Sequence, residues 1–143
     1  MLLLTANKIF AEESFKFIGS FSNVKATETG HCYGEGVSVW EVENKKIIGL
    51  LHIAQGLCGD PACSVLEGNA GNEKITFKSI KTIYGQSYAF EGKVTGAFLN
   101  GTLNNNKTAL KKDTRSQRFK NKAEWCATWS KISRCKGASS VCK

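Results

Sequence analysis

Hydrophobic and polar residues alternate through much of the chain, and the clearest segment lies between residues 37 and 53. Residues 37–42, VSVWEV, are mostly β-branched or aromatic, and the apolar run of residues 47–53, IIGLLHI, is short enough to favour a buried strand over a helix. Asn44 and Lys45 between them are polar, and Asn tolerates a positive φ, so we expect a tight turn. The segment predicts a central β-hairpin, and Gly49 within it predicts a bulge, a sharp bend or a close approach of the backbone to a neighbour.

Further strands are predicted on both sides of this hairpin. Residues 15–24 place Phe15, Phe17 and Phe21 at a period of two, which indicates a strand with one aromatic face. Later strands are predicted at residues 64–67, 74–82, 88–94, 97–103 and 107–112, separated by turn signals at residues 69–72, 84–87 and 104–106. This spacing is typical of an antiparallel meander, so we expect a mainly β, single-domain barrel of about eight strands.

Residues 124–132, EWCATWSKI, fit two patterns. Trp125, Trp129 and Ile132 share one face of a helix, whereas Trp125, Ala127 and Trp129 share one face of a strand. Because Trp and Thr favour sheets, we prefer a last strand that closes the barrel, with a short C-terminal helix as the alternative.

The chain of 143 residues has fourteen glycines and one proline, which favours one strand-and-turn domain. We assign residues 15–132 to the barrel and residues 133–143 to a basic tail tied by disulfides. Residues 1–14 fit either the remnant of a secretory signal or a first strand. No apolar run approaches the ~20 residues that span a bilayer, so no transmembrane segment is expected.

Six cysteines in a chain of this size favour disulfides and an oxidising compartment, either secreted or periplasmic. Many pairings are possible. The short turn between Cys58 and Cys63 favours that pair, and the Ser-rich end favours a bond between Cys135 and Cys142. The remaining bond then joins two distant cysteines: Cys32 and Cys126.

Positive charge is concentrated after residue 104, and the whole chain carries a formal net charge of +8. Residues 107–122, KTALKKDTRSQRFKNK, form the most basic segment. It is either a solvated loop or, together with residues up to 136, a contact for an anionic polymer or a membrane surface. Arg115, Arg118 and Phe119 are the predicted contacts.

Few residues suggest catalysis. His52, inside the apolar run, is expected to be a hydrogen-bonded core or rim residue, with a place in a ligand pocket as the alternative. The cysteine and histidine spacing lacks a zinc pattern, and nucleophile and phosphate-loop motifs are absent, so no metal or cofactor is expected. Three glutamates have no spacing that predicts a catalytic pair: Glu35, Glu41 and Glu67.

The three tryptophans, Trp40, Trp125 and Trp129, are the largest apolar side chains. Core packing is the first interpretation. The alternative is that they line a pocket or a partner surface, because Trp is enriched at binding hot spots.

Residues 33–104 contain a pattern of an aromatic residue followed by glycine. Phe90 precedes Gly92 and Gly96, and Phe98 precedes Gly101. In this respect the segment resembles the small meander barrels of the lipocalin and avidin type. The resemblance implies an architecture and no functional residues.

These features predict an exported, disulfide-stabilised binding protein without catalytic activity. Its partner is expected to be a protein, as for an inhibitor or immunity-type protein, or a small apolar ligand. The alternative is a binder of anionic polymers or membrane surfaces through residues 107–136, and an enzyme of unrecognised type is a third class. A deep pocket lined by Trp and Phe would favour a small ligand. A filled interior would favour a macromolecular partner.

Overall fold

A computed structural model of the protein describes residues 14–59, 61–114, 119–132 and 134–142. The prediction for residues 1–14 lies outside this part, apart from Ser14. The strands and helices follow in this order: β1 (Lys16–Ser22), β2 (Lys25–Ala26), β3 (His31–Glu41), β4 (Lys46–Leu57), β5 (Ala62–Gly71), β6 (Lys74–Ser79), β7 (Ala89–Thr95), β8 (Phe98–Leu103), β9 (Asn106–Lys112), α1 (Lys122–Lys131), β10 (Cys135–Lys136) and α2 (Ala138–Val141).

Strands β1 and β3 to β9 form a closed antiparallel barrel of eight strands. From β3 to β9, each strand pairs with the next one in the chain. Strand β1 closes the barrel, because it pairs with β3 on one side and with β9 on the other. The predicted mainly β meander barrel is therefore confirmed.

The predicted central hairpin is formed by β3 and β4, which pair from His31 opposite Leu57 to Glu41 opposite Ile47. Its turn contains Asn44 and Lys45, whose φ angles of 58° and 57° suit the twist of a tight hairpin. Gly49 lies so close to the neighbouring strand that a Cβ there would overlap the carbonyl oxygen of Ser38. Only glycine permits this approach.

The first strand contains an irregularity that the sequence pattern did not predict. Its register with β3 shifts between Phe17 and Gly19. As a result Phe21 belongs to the core inside the barrel, whereas Phe17 packs with Trp40 outside it. The prediction that Phe15, Phe17 and Phe21 share one face is therefore wrong.

Two hydrophobic cores lie on opposite sides of the barrel wall. The inner core is formed by side chains that point into the barrel, among them Phe21, Val39, Leu51, Leu66, Phe77, Phe90 and Leu99. The outer core covers β3, β4 and β5 and contains Trp40, Ile48, Leu50, Val65, Trp125 and Ala138. Helices α1 and α2 pack on this covered part of the wall.

Residues 124–131 belong to helix α1 and Ile132 follows as its C-cap, so the preferred strand is wrong and the alternative helix is confirmed. The barrel is already closed by β1, which leaves this segment no strand edge inside the barrel to join. Asn121 caps the helix, because its side-chain oxygen accepts a hydrogen bond from the Glu124 backbone N–H at 2.8 Å. Within the described residues, neither helix has the length and apolar character needed to cross a membrane.

All six cysteines form disulfides, as expected, but the three predicted pairs are wrong. The bonds join Cys32 to Cys58, Cys63 to Cys135 and Cys126 to Cys142. Cys58 follows the end of β4, beside the start of β3 that carries Cys32. Cys63 lies opposite Cys135 because β10 runs parallel to β5, beyond the end of the β5–β6 pairing. Strand adjacency accounts for the first two bonds, and the contact between α1 and α2 accounts for the third.

Candidate functional site

The barrel interior is packed with side chains. Phe77 and Phe90 stack there with ring centroids 4.9 Å apart, and both are less than 5% exposed. An eight-stranded barrel has an interior just wide enough for its own side chains to fill. Two grooves lined by the described residues open instead on the outer surface. This arrangement favours a macromolecular partner over a small apolar ligand.

The predicted tryptophan contacts lie in the outer core. Trp40 and Trp125 are 0% exposed and meet edge to face, with ring centroids 5.9 Å apart. Phe119 is half-buried between Trp40 and Trp129. A partner would reach Trp40 or Trp125 only if helix α1 moved, so their position fits the core-packing interpretation.

The same tryptophans have an unusual polar feature. The indole N–H groups of Trp40, Trp125 and Trp129 are buried, and none has a hydrogen-bond partner among the described residues. A buried donor without an acceptor costs about 1–3 kcal/mol. The stability of the outer core therefore comes from ring packing and not from indole hydrogen bonds.

Two adjoining grooves cross the outer wall, and the larger begins at the edge of the outer core, whose Val42 and Ile48 line it. The larger, of about 910 Å³, runs from α2 across β4 to β8. The smaller, of about 520 Å³, covers β7 to β9, and Thr102 lines both. We call this surface the lysine face, after the lysines in its lining: Lys46, Lys78, Lys93, Lys107 and Lys122.

The lysine face has an excess of positive charge. Four of its five lysines are exposed, and Lys122 is half-buried. Its two carboxylates are Glu67 and Glu91, and Glu91 forms an ion pair with Lys74. Among the described residues no carboxylate forms an ion pair with any of the five lysines. The net positive charge of the lysine face therefore attracts anions.

The predicted basic segment is divided by the fold. Lys107 lies on β9 and Lys122 at the start of α1, and both contribute to the lysine face. Arg115 and Arg118 lie outside the described residues. Sequence analysis missed Lys46, Lys78 and Lys93, because they come from separate strands that only the folded barrel brings to one surface.

A second group of polar and aromatic residues lies at one end of the barrel. Antiparallel order brings together the start of β3, the end of β4 and the β6–β7 connection. We call this the tyrosine end, because it holds all three tyrosines of the chain: Tyr33, Tyr84 and Tyr88. Glu35 lies two residues after Tyr33 on β3, and Leu57 ends β4 opposite His31, at the start of β3.

Burial raises the pKa of the Tyr88 phenol above 10.0, and the charge of Glu35 and then the phenol of Tyr84 add to the shift. As the pH rises, the unfolded chain therefore loses the Tyr88 proton at a lower pH than the folded chain does. The Tyr88 contribution to the free energy of unfolding is constant at lower pH and falls as pH rises above 10.0 toward the folded pKa.

When the pH rises from about 9 to about 11, we expect the free energy of unfolding to fall less for the Tyr88→Phe variant than for the parent chain. Urea unfolding across this range measures the difference, and lysine ionisation is common to both proteins. If the free energy of unfolding depended on pH equally in the two proteins, the raised pKa of Tyr88 would be contradicted.

His52 lies on β4 opposite Cys63, and its ring approaches the Cys63–Cys135 disulfide. The ligand atoms of these three residues lie within 4.8 Å of one another. Both sulfurs are bonded to each other, so neither offers a thiolate to a metal ion. In this state His52 is a half-buried residue of the outer wall.

The three glutamates that were considered for acid–base catalysis are well separated. Glu35 lies near the middle of β3 and Glu41 at its end, about 20 Å apart at the usual rise of a strand. Glu67 lines the lysine face. Carboxyl groups that cooperate in glycoside hydrolysis are about 5–9.5 Å apart, so Glu35 and Glu41 do not form such a pair.

Comparisons with protein-family models, with curated proteins and with solved structures found no match for this chain. The resemblance to lipocalins and avidins stays a prediction.

Proposed function

We propose that this is an exported, non-catalytic binding protein whose lysine face holds an anionic polysaccharide. The observation that carries the proposal is the pair of adjoining grooves lined by five lysines with no ion-pair partner among the described residues. The three disulfides are compatible with export, because such bonds persist in oxidising compartments.

The shape of the lysine face suits an extended chain. The two grooves join at Thr102 and cross the strands from β4 to β9. Neighbouring strands are about 4.8 Å apart, so the surface spans roughly 24 Å along the wall. Lysines are spread along this path rather than gathered at one point, which matches repeated charges on a polymer better than a single anion.

The chemistry of the lining favours a polysaccharide over a single-stranded nucleic acid. Nucleic acids without sequence preference are usually held by aromatic rings that stack on the bases. The rings nearest these grooves, Phe77 and Phe90, are buried in the barrel. The exposed or half-buried lining offers amides and hydroxyls instead, which suit the hydroxyl groups of sugars: Asn69, Thr76, Asn100, Thr102 and Asn105.

We expect the full chain to bind dextran sulfate and not neutral dextran, with affinity falling at least tenfold between about 50 and 200 mM salt. The triple variant Lys93→Gln, Lys107→Gln, Lys122→Gln is expected to lose about tenfold or more in affinity, because each exposed ion pair contributes up to about 1 kcal/mol. Isothermal titration or fluorescence anisotropy measures both effects.

A matched variant separates the site from net charge. Lys16→Gln, Lys25→Gln, Lys131→Gln removes the same charge from positions outside both grooves. An equal loss in this control would show that the whole charge attracts the polymer, and the lysine face would then have no special part. Tighter binding of single-stranded DNA than of dextran sulfate at equal salt would overturn the choice of polysaccharide.

A further inference from the structure

The tyrosine end exposes large side chains to solvent. Leu57 is 69% exposed, Tyr84 55% and Tyr33 54%, the three largest exposed fractions among the large hydrophobic residues that the structure describes. Tyrosine and leucine that stay exposed together at one end of a domain are typical of a surface that a partner covers. Neither groove of the lysine face includes these residues, so the two surfaces are separate.

Glu35 provides a negative charge within this group. It lies opposite Ile53, whose side chain belongs to the inner core, so Glu35 points toward the mouth of the barrel. Asn23 fixes its backbone, because the Asn23 side-chain oxygen accepts from the Glu35 N–H at 2.7 Å and the Asn23 N–H donates to the Glu35 carbonyl at 3.0 Å. Among the described residues the Glu35 carboxylate has no ion-pair partner.

The loop that carries Tyr84 is held in a defined shape. Ile83 and Gln86 exchange two backbone hydrogen bonds of 2.9 and 3.0 Å. Tyr84 between them has a φ of 52°, which is costly for a residue with a bulky side chain. In this tight turn the Tyr84 ring stays exposed to solvent and does not pack onto the barrel.

We propose that the tyrosine end docks a protein partner through a cationic side chain, an arginine or lysine, that the partner places against Glu35. Tyrosine rings attract a cation through their faces, and a nearby carboxylate adds charge complementarity. The exposed Leu57 and Tyr33 supply apolar contact around the charge, as at the centre of protein interfaces. This proposal goes beyond polysaccharide binding and fits the inhibitor-type partner expected from the sequence.

The test uses a cyclic hairpin peptide with one central arginine and the same peptide with citrulline, a neutral isostere, in its place. We expect the full chain to bind the arginine peptide at least fivefold more tightly, with NMR shifts concentrated at Tyr84, Tyr88 and the start of β3. Glu35→Gln should remove most of this preference, whereas Tyr88→Phe, which keeps the ring, should retain it.

Glu41→Gln is the matched control, because it removes one carboxylate from the same strand, six residues beyond Glu35. Equal binding of the arginine and citrulline peptides, or an equal loss in Glu41→Gln, would overturn the proposal. Binding of N-acetyl-arginine amide as tight as that of the peptide would show a small-cation site instead of a protein-docking surface. The triple lysine variant should bind the peptide as tightly as the parent chain does. A failure of peptide docking can therefore be told apart from a failure of polysaccharide binding.

Discussion

Replacement of Trp125 by alanine is expected to lower the free energy of unfolding by about 3–5 kcal/mol. Trp125 is 0% exposed and lies between helix α1 and the wall of β3 to β5. Its ring meets Trp40 edge to face, so the substitution removes both buried area and an aromatic pair. Urea denaturation followed by far-UV circular dichroism measures the loss.

The indole N–H gives this experiment a second arm. Because that group has no acceptor among the described residues, Trp125→Phe removes an unsatisfied donor together with part of the ring. We expect Trp125→Phe to cost less than about 1.5 kcal/mol. A cost for Trp125→Ala below about 1 kcal/mol would mean that the outer core does not depend on this ring.

Removal of the Cys63–Cys135 bond by alanine substitution at both positions is expected to lower stability by about 4 kcal/mol in the chain-entropy account. The bond spans 72 residues, and it holds β10 and α2 against β5. Both cysteines are less than 10% exposed, so alanine is a better replacement than a polar residue. Chemical denaturation without reductant measures the change.

The Cys126–Cys142 bond is the internal control, because it closes only 16 residues. Its removal is expected to cost about 1 kcal/mol less than that of the longer bond. If both double variants lost the same stability, loop length would not be what governs these bonds. The Cys63–Cys135 bond, which spans 72 residues, also holds the C-terminal segment in place over the outer core.

Local patterns were sufficient to predict most of the barrel. The β3–β4 hairpin was predicted because its polar turn at Asn44 and its β-branched flanks act over short distances. The strand assigned to residues 124–132 failed because Trp125 and Trp129 satisfy both periods. One local signal favoured the helix: Asn121 followed three residues later by Glu124, a pattern typical of a helix start.

The remaining features depend on which strands become neighbours, and that is decided only by the closed barrel. The pair Cys63–Cys135 requires β10 to run beside β5, and nothing in the spacing of the cysteines indicates it. Likewise Lys93 and Lys107 are fourteen residues apart in the chain, yet both line one groove because β8 lies between their strands. The candidate surfaces were therefore less predictable than the strands that form them.

The position of β1 between β3 and β9 has a consequence for biosynthesis. The barrel cannot close until β9 has been synthesised, and the outer core then needs α1 and the disulfides that follow. Assembly that depends on such distant contacts is slow compared with local folding. In a nascent chain the barrel therefore stays open at least until β9 has left the ribosome.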